Sequence, residues 1–197
     1  MNQSVGLSEI QRTILEYLQG RDDAMVFGAQ AVNAYVDLPR MSQDVDIMSN
    51  NAKGLAEQIC TLLNNKLRIA VRIRELADGQ AFRIYQVTKP TNRHLVDLRQ
   101  IEKFPEGRRL QGILIPEPFE LIAQKVVSYS HRSNTAKGMT DMADLRRLLL
   151  TFPQLKTEQG AVWERLQTTS SEEPMIAVIW HDLVELEIQP DDESDGY

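Results

Sequence analysis

Asp44 and Asp46 stand two positions apart in the run Arg40-Met-Ser-Gln-Asp-Val-Asp-Ile47. On an extended strand successive side chains alternate, so both carboxylates leave one face while Val45 and Ile47 anchor the other in a core. Two like charges at that spacing repel one another in a dry cleft. A hard divalent cation removes the conflict, because magnesium takes carboxylate oxygens and keeps positions open for substrate phosphates. An Asp-x-Asp pair on a solvated strand is also common, so the pair alone leaves both readings open.

The residues before the pair add context. Gly28 follows the apolar run Ala24–Phe27 and opens a helical stretch, with the small Ala29 next to it. A strand-to-helix turn of this kind lets backbone N–H groups approach a phosphate closely. A plain tight turn is the other reading of Gly28. Arg40 and Ser42 lead into the acids on alternating positions. Arg40 is placed to neutralise phosphate charge, to brace Asp44, or to sit as a surface arginine.

The elements that must position these residues are legible from periodicity. Ser8 and Gln11 form a capping-box pattern ahead of Ile10, Ile14, Leu15 and Leu18 at helical spacing. Ala24–Phe27 reads as a buried strand, Gly28 to about Tyr35 as a helix, Asp44–Met48 as a strand, and Leu55 to about Asn65 as a helix. The period then becomes two: Arg68–Leu76, the turn signal Asp78-Gly79, Ala81–Val87 and His94–Leu98 read as strands, with Gly112–Ile115 as one more. Beyond Pro116 the pattern is helical, over Phe119–Ser130, Thr140–Phe152, about Thr157–Thr168 and Met175–Glu187. The fold class expected is α+β (mixed α/β): a small sheet with flanking helices in residues 1–115, a helical region in 116–188, and an acidic disordered tail in 189–197.

Composition is that of a globular protein, 42% hydrophobic and 25% charged, with a net charge of −6. That balance excludes a wholly basic, nucleic-acid-coating protein. It also hides an asymmetry: Lys66–Arg109 holds 11 Lys/Arg against 5 Asp/Glu, whereas Glu172 to the end holds 9 acids and no Lys or Arg. The middle of the chain can face a phosphate-bearing ligand, or be a strand edge guarded by basic residues. Cys60 is the only cysteine, so no internal disulfide or cysteine-based zinc cluster is available. No stretch approaches the roughly 18–20 apolar residues of a membrane span, and Met1–Gly20 has no signal-peptide pattern. A cytoplasmic location is expected. The histidines, His94, His131 and His181, are too dispersed in sequence for a metal motif and are expected to be structural.

Gly28-Ala29 followed by Arg40-x-Ser42-x-Asp44-Val-Asp46 resembles the signature of the nucleotidyltransferase (polymerase β-like) superfamily, closest to the AbiEii-like toxins of bacterial toxin–antitoxin and phage-defence systems. In that superfamily a Gly-Gly or Gly-Ser pair opens a helix and the Asp-x-Asp of the next strand binds catalytic metal. Ala29 replaces the second Gly or Ser here, and the 14 residues between Ala29 and Asp44 slightly exceed the usual gap. The resemblance implies a third carboxylate from a later strand, which Asp97 in His94-Leu-Val-Asp-Leu matches. A charge in so apolar a strand needs a partner or a metal. The other reading is an edge-strand aspartate paired with Arg93 or Arg99.

The second half resembles the family's later motifs, a lysine on a helix and then Asp-x-x-Asp: Lys125, and Asp141 with Asp144 near the start of the next predicted helix. Thr140 stands where relatives commonly carry a basic residue. The resemblance, which spans Val26 to Leu150, implies that Gly28, Ala29, Arg40, Ser42 and Lys125 bind nucleotide and that Asp44, Asp46 and Asp97 hold metal. Asp141 or Asp144 would accept the acceptor's proton. The expected cofactor is Mg2+, or Mn2+, and the expected substrate an NTP. The acceptor is RNA such as a tRNA end, a protein or a small molecule, and an antitoxin protein is the partner that a toxin implies. Two rivals are a catalytically inactive binding module of the same fold and a metal-dependent nuclease.

Overall fold

A computed structural model of the chain describes residues 5–170 and 173–190. The segment 191–197, most of the expected acidic tail, lies outside the described residues. Among the described residues, the first compact unit comprises 5–34 and 39–116, and the second 35–38, 117–170 and 173–190.

The first unit is built on a five-stranded mixed sheet. Helix α1 (Leu7–Leu18) turns Ile10, Ile14 and Leu18 inward. It begins at Leu7 with Gly6 as its cap residue, and no side chain caps it. The expected Ser8–Gln11 capping box is therefore absent, and the Gln11 amide instead donates to the Ser42 carbonyl at 2.9 Å. Strand β1 (Ala24–Phe27) is buried throughout and leads directly into α2 (Gly28–Asn33), with β2 (Val45–Ser49) next. Helix α3 (Ala52–Leu67) is capped by the Asn51 side chain, which accepts from the Gly54 N–H, and ends at Arg68 in the left-handed region.

Strands β3 (Val71–Leu76) and β4 (Ala81–Gln86) form the predicted hairpin, and β5 (Arg93–Gln100) follows it. The order across the sheet is β1-β2-β5-β4-β3. Only the β2–β5 pairing is parallel. Helix α3 packs on β2, β5, β4 and β3. Val45, Ile47, Phe82, Ile84, Val96 and Leu98, all buried, form the core layer. The opposite face carries the polar members of each alternating strand. A second hairpin, β6 (Gly107–Leu110) with β7 (Ile113–Pro116), packs its β7 strand on β1.

The second unit is helical: α4 (Pro118–Arg132), α5 (Ala136–Thr151), a 3-10 turn (Pro153–Leu155), α6 (Ala161–Ser170) and α7 (Pro174–Glu185). Helix α4 packs on α5, α6 and α7. Among the described residues no helix is long and apolar enough to cross a membrane.

Candidate functional site

The acids sit where β1, β2 and β5 meet on the polar face of the sheet. Phe27 and Asp46 are antiparallel partners, so the turn after Phe27 lies against the Asp46 side chain. Gly28 has φ +64°, and a Cβ there would lie 2.1 Å from Asp46 Oδ2. Both facts demand glycine: the left-handed region disfavours a Cβ, and the carboxylate occupies its space. Ala29 is buried in the first turn of α2 with Ala31 and Val32 beside it in the core.

The approach to Asp44 is held by side chains of the sheet unit. Asn33, at the end of α2, donates to the Arg40 carbonyl at 2.8 Å and accepts from the Arg40 N–H at 3.0 Å. Ser42 donates its hydroxyl to the Asp44 carbonyl at 2.7 Å, and its own carbonyl is the one held by Gln11. The Arg40 guanidinium donates to the Met41 carbonyl at 3.1 Å.

Asp97 lies directly beside Asp46 in the parallel register of β2 and β5. Strand β5 is central, not the edge strand that the bland reading of Asp97 assumed, and the ion-pair partner is neither Arg93 nor Arg99. It is Arg83 of β4, whose Nε donates to both Asp97 oxygens at 3.2 and 3.3 Å. Arg83 and Asp97 are cross-strand partners, so the pair follows from register.

His94, for which sequence position suggested only a structural role, stands beside this cluster. The β4–β5 register slips by one residue: Ile84 pairs with Val96 but Tyr85 pairs with His94, leaving Leu95 as the extra residue of a bulge. Strict alternation would put His94 and Asp97, three apart, on opposite faces. The bulge turns His94 onto the acidic face, as bulges beside functional sites commonly re-aim a side chain. The consecutive buried pair Leu95-Val96 is the sequence signal for it, a break in period two inside an otherwise alternating strand.

His94 Nδ1 lies 3.1 Å from Asp44 Oδ2, and Nε2 lies 3.1 Å from the Val96 carbonyl oxygen. A carbonyl and a carboxylate only accept, so Nε2 donates to Val96 and Nδ1, when it carries a proton, donates to Asp44; without that proton its lone pair is free to meet a cation. The hydrogen bond that the ring donates to Asp44 raises the His94 pKa above its ordinary value; burial opposes this, while the charges of Asp44 and Asp97 and the Val96 carbonyl add to it. Ligand atoms of Asp44, His94 and Asp97 all lie within 4.8 Å of one another. Carboxylate oxygens converging with one imidazole nitrogen suit a divalent cation of the magnesium–manganese kind, the imidazole also admitting softer metals. Asp46 borders this set through its register with Asp97.

The second constellation is self-contained within the helical unit. Lys125 of α4 donates to Asp141 Oδ1 at 3.0 Å and to Asp144 Oδ2 at 2.6 Å, both on α5. Arg132 donates from Nε to Asp141 Oδ2 at 2.7 Å, and Arg147 lies 3.8 Å from Asp144. The side chains of Lys125, Asp141 and Asp144 are 9%, 3% and 0% exposed. Helix α5 begins at Ala136, capped by the Thr135 hydroxyl, so Asp141 lies beyond the first turn and not at the helix start expected for it. Its charge is balanced by Lys125 and Arg132, not by the helix terminus.

The chain matches no protein-family profile and no curated protein sequence. Solved structures do resemble it. The crystal structure of the Megavirus polyadenylate synthase superposes with a TM-score of 0.59 at 13% identity, covering 77% of this chain and 33% of that one. This chain thus spans a third of the length of that enzyme. JHP933 from Helicobacter pylori superposes with a TM-score of 0.58 at 16% identity, covering 91% of this chain and 79% of that one. At these identities the likeness is one of fold. With its mixed five-stranded sheet and flanking helices, the chain shares the α+β fold of these two structures, an architecture consistent with a small nucleotidyltransferase-type fold.

Proposed function

We propose that the protein is a metal-dependent nucleotidyltransferase that moves a nucleoside monophosphate from an NTP to an acceptor hydroxyl. The observation that carries the reading is the convergence of Asp44, Asp46 and Asp97 on one sheet face, with Gly28 fitted against Asp46. Asp44, Asp46 and Asp97 would hold Mg2+ or Mn2+, with His94 as a further donor. When bound, the metal would supply neutralisation of triphosphate charge and orientation of the attacking oxygen.

The chain's own residues set the stage for that chemistry. Arg83 holds Asp97 in place and offsets the repulsion among the acids. The Val96 carbonyl fixes the His94 ring, a support that metal-ligating histidines commonly need. The turn at Gly28 and Ala29 offers close backbone approach to phosphate, with Arg40 and Ser42 on the segment leading to Asp44. Lys125 as phosphate ligand and Asp141 or Asp144 as proton acceptor belong to the same proposal. Each would have to exchange the ion pairs it now makes for the substrate. The likeness to AbiEii-like toxins extends the reading to RNA, such as a tRNA end, as acceptor and to an antitoxin as partner.

The test is transfer of label. Wild type and Asp44→Ala/Asp46→Ala are incubated with Mg2+, each labelled NTP and total cellular RNA. Label is expected on RNA with wild type only; RNA shortened without any need for triphosphate would replace this reading with a nuclease. No transfer, with equal triphosphate binding by both proteins, would leave an inert binding module. Expressed in cells, wild type alone should arrest growth if the protein is a toxin.

His94 gives a separate prediction. Mn2+ affinity of His94→Gln, followed by electron paramagnetic resonance of the free ion, should fall by about 10-fold or more. Unchanged Mn2+ affinity would remove His94 from the ligand set.

A further inference from the structure

The site face of the sheet does not end at the acids. In one row across the strands, Arg72 of β3 pairs with Tyr85 of β4, which pairs with His94 of β5. The side chains follow the same line: the Arg72 guanidinium lies 5.6 Å from the Tyr85 ring centroid, the Tyr85 and His94 rings are 5.1 Å apart, and His94 contacts Asp44. The next row runs Arg74, Arg83, Asp97 and Asp46 in direct register. Both rows pass from cations at the sheet edge to carboxylates at its centre.

Registered partners share a face, so Arg72 and Arg74 lie on the same side of the sheet as the acids. The one acid of β3, Glu75, pairs with Phe82 and belongs to the other face. Arg72 and Arg74 are exposed, and Tyr85 is half-buried. Arginines that only guarded the edge against aggregation would serve equally well on either face. Here the register places both where a ligand at the acids would extend, with an aromatic ring between them and the site.

We infer that this face, from β3 to β5, binds the acceptor as a single-stranded nucleic acid, with Arg72 and Arg74 on its phosphates and an unpaired base stacked on Tyr85 in the place from which the Arg72 guanidinium moves. The two strand spacings from β3 to β5 span about 10 Å, room for a short run of nucleotides ending at the acids. Flanking cations with an aromatic platform are the recognition chemistry of single strands, since a duplex hides its base faces. An acidic protein segment would use the arginines and leave Tyr85 without a role. The inference rests on the transferase reading only for which end of the strand reaches the acids; the binding surface stands apart from it.

The experiment is fluorescence anisotropy of a labelled short single-stranded RNA of mixed sequence, titrated with the full chain over a range of salt. Arg72→Ala/Arg74→Ala should weaken binding by about 10-fold or more and lower the slope of log affinity against log salt by about 1.4, the value for two lost phosphate contacts on a single strand. Tyr85→Leu should weaken it by about 5-fold or more, and Tyr85→Phe should keep it. Far-ultraviolet circular dichroism and melting temperature establish that each variant is folded. Equal affinity of the arginine variant and wild type would overturn the inference, as would absence of RNA binding by wild type. Displacement by polyglutamate as readily as by unlabelled RNA would overturn it in favour of an acidic protein partner. Metal-stimulated triphosphate binding, measured on wild type in parallel, reports on the transferase reading independently, so the two can fail separately.

Discussion

Lys125→Met is expected to destabilise the helical unit by about 3–5 kcal/mol, the loss typical when one member of a buried ion pair is removed. The ammonium is the shared partner of Asp141 and Asp144, and all three side chains are nearly or fully buried. Methionine fills much the same volume but takes from Asp144 its 2.6 Å ion pair, at a carboxylate that is fully buried. Asp141 keeps Arg132 and suffers less. Trp163 on α6 and Trp180 on α7 both belong to this unit, so urea unfolding followed by tryptophan fluorescence reads it directly. Lys125→Met/Asp141→Leu/Asp144→Leu should recover most of the loss, because an apolar replacement of a whole buried charge cluster is commonly neutral or better. A single variant within about 1 kcal/mol of wild type would show that the cluster does not hold α4 on α5. The same variants separate packing from chemistry: a raised KM that persists in the triple variant, where stability is recovered, would assign Lys125 to phosphate.

Gly28→Ala is expected to lower kcat by about 100-fold or more while costing only about 1–2 kcal/mol of stability. The stability term is the penalty for a Cβ at φ +64°. The larger effect comes from position. The new methyl would lie 2.1 Å from Asp46 Oδ2, so the carboxylate must swing away from its place beside Asp97. Displacement of about 1 Å in a reacting group is enough for a loss of this size. If the effect passes through Asp46, Gly28→Ala combined with Asp46→Asn should be little worse than Asp46→Asn alone. Label transfer at saturating NTP measures both variants, and near-wild-type turnover by Gly28→Ala would sink the argument.

Much of the fold was legible because its elements are governed by burial. The all-apolar Ala24–Phe27, the alternation through Ala81–Gln86 and the Asp78-Gly79 turn each report a local preference that the tertiary structure keeps. Asp44 and Asp46 were legible as a pair from type and spacing, and Asp97 joined them only through the resemblance of the motifs. What sequence could not give was register. Arg83 as the partner of Asp97 depends on how β4 aligns with β5, and His94 depends on a one-residue slip in that alignment. The start of α5 was misplaced because Ala136-Lys-Gly-Met has no apolar stripe to announce a helix, and Thr135 capping the Gly138 N–H sets it instead. Strand β6 was missed since Gly107-Arg-Arg-Leu reads as surface and pairs only with β7.

The two hydrogen bonds between Asn33 and the Arg40 backbone close a ring around the intervening residues. Everything from Ala34 to Pro39 therefore hangs beyond a fixed gate, and residues 35–38 cluster with the helical unit, where Tyr35 meets Phe152 edge to face at 5.4 Å. Lengthening such a loop adds little entropy cost, about 0.6 kcal/mol for each doubling. The separation between the Gly28 turn and the acids along the chain is thus decoupled from their separation in space. A spacing longer than usual between the two motifs is absorbed outside the gate, and proteins of this design can vary that stretch in length and sequence without moving Asp44.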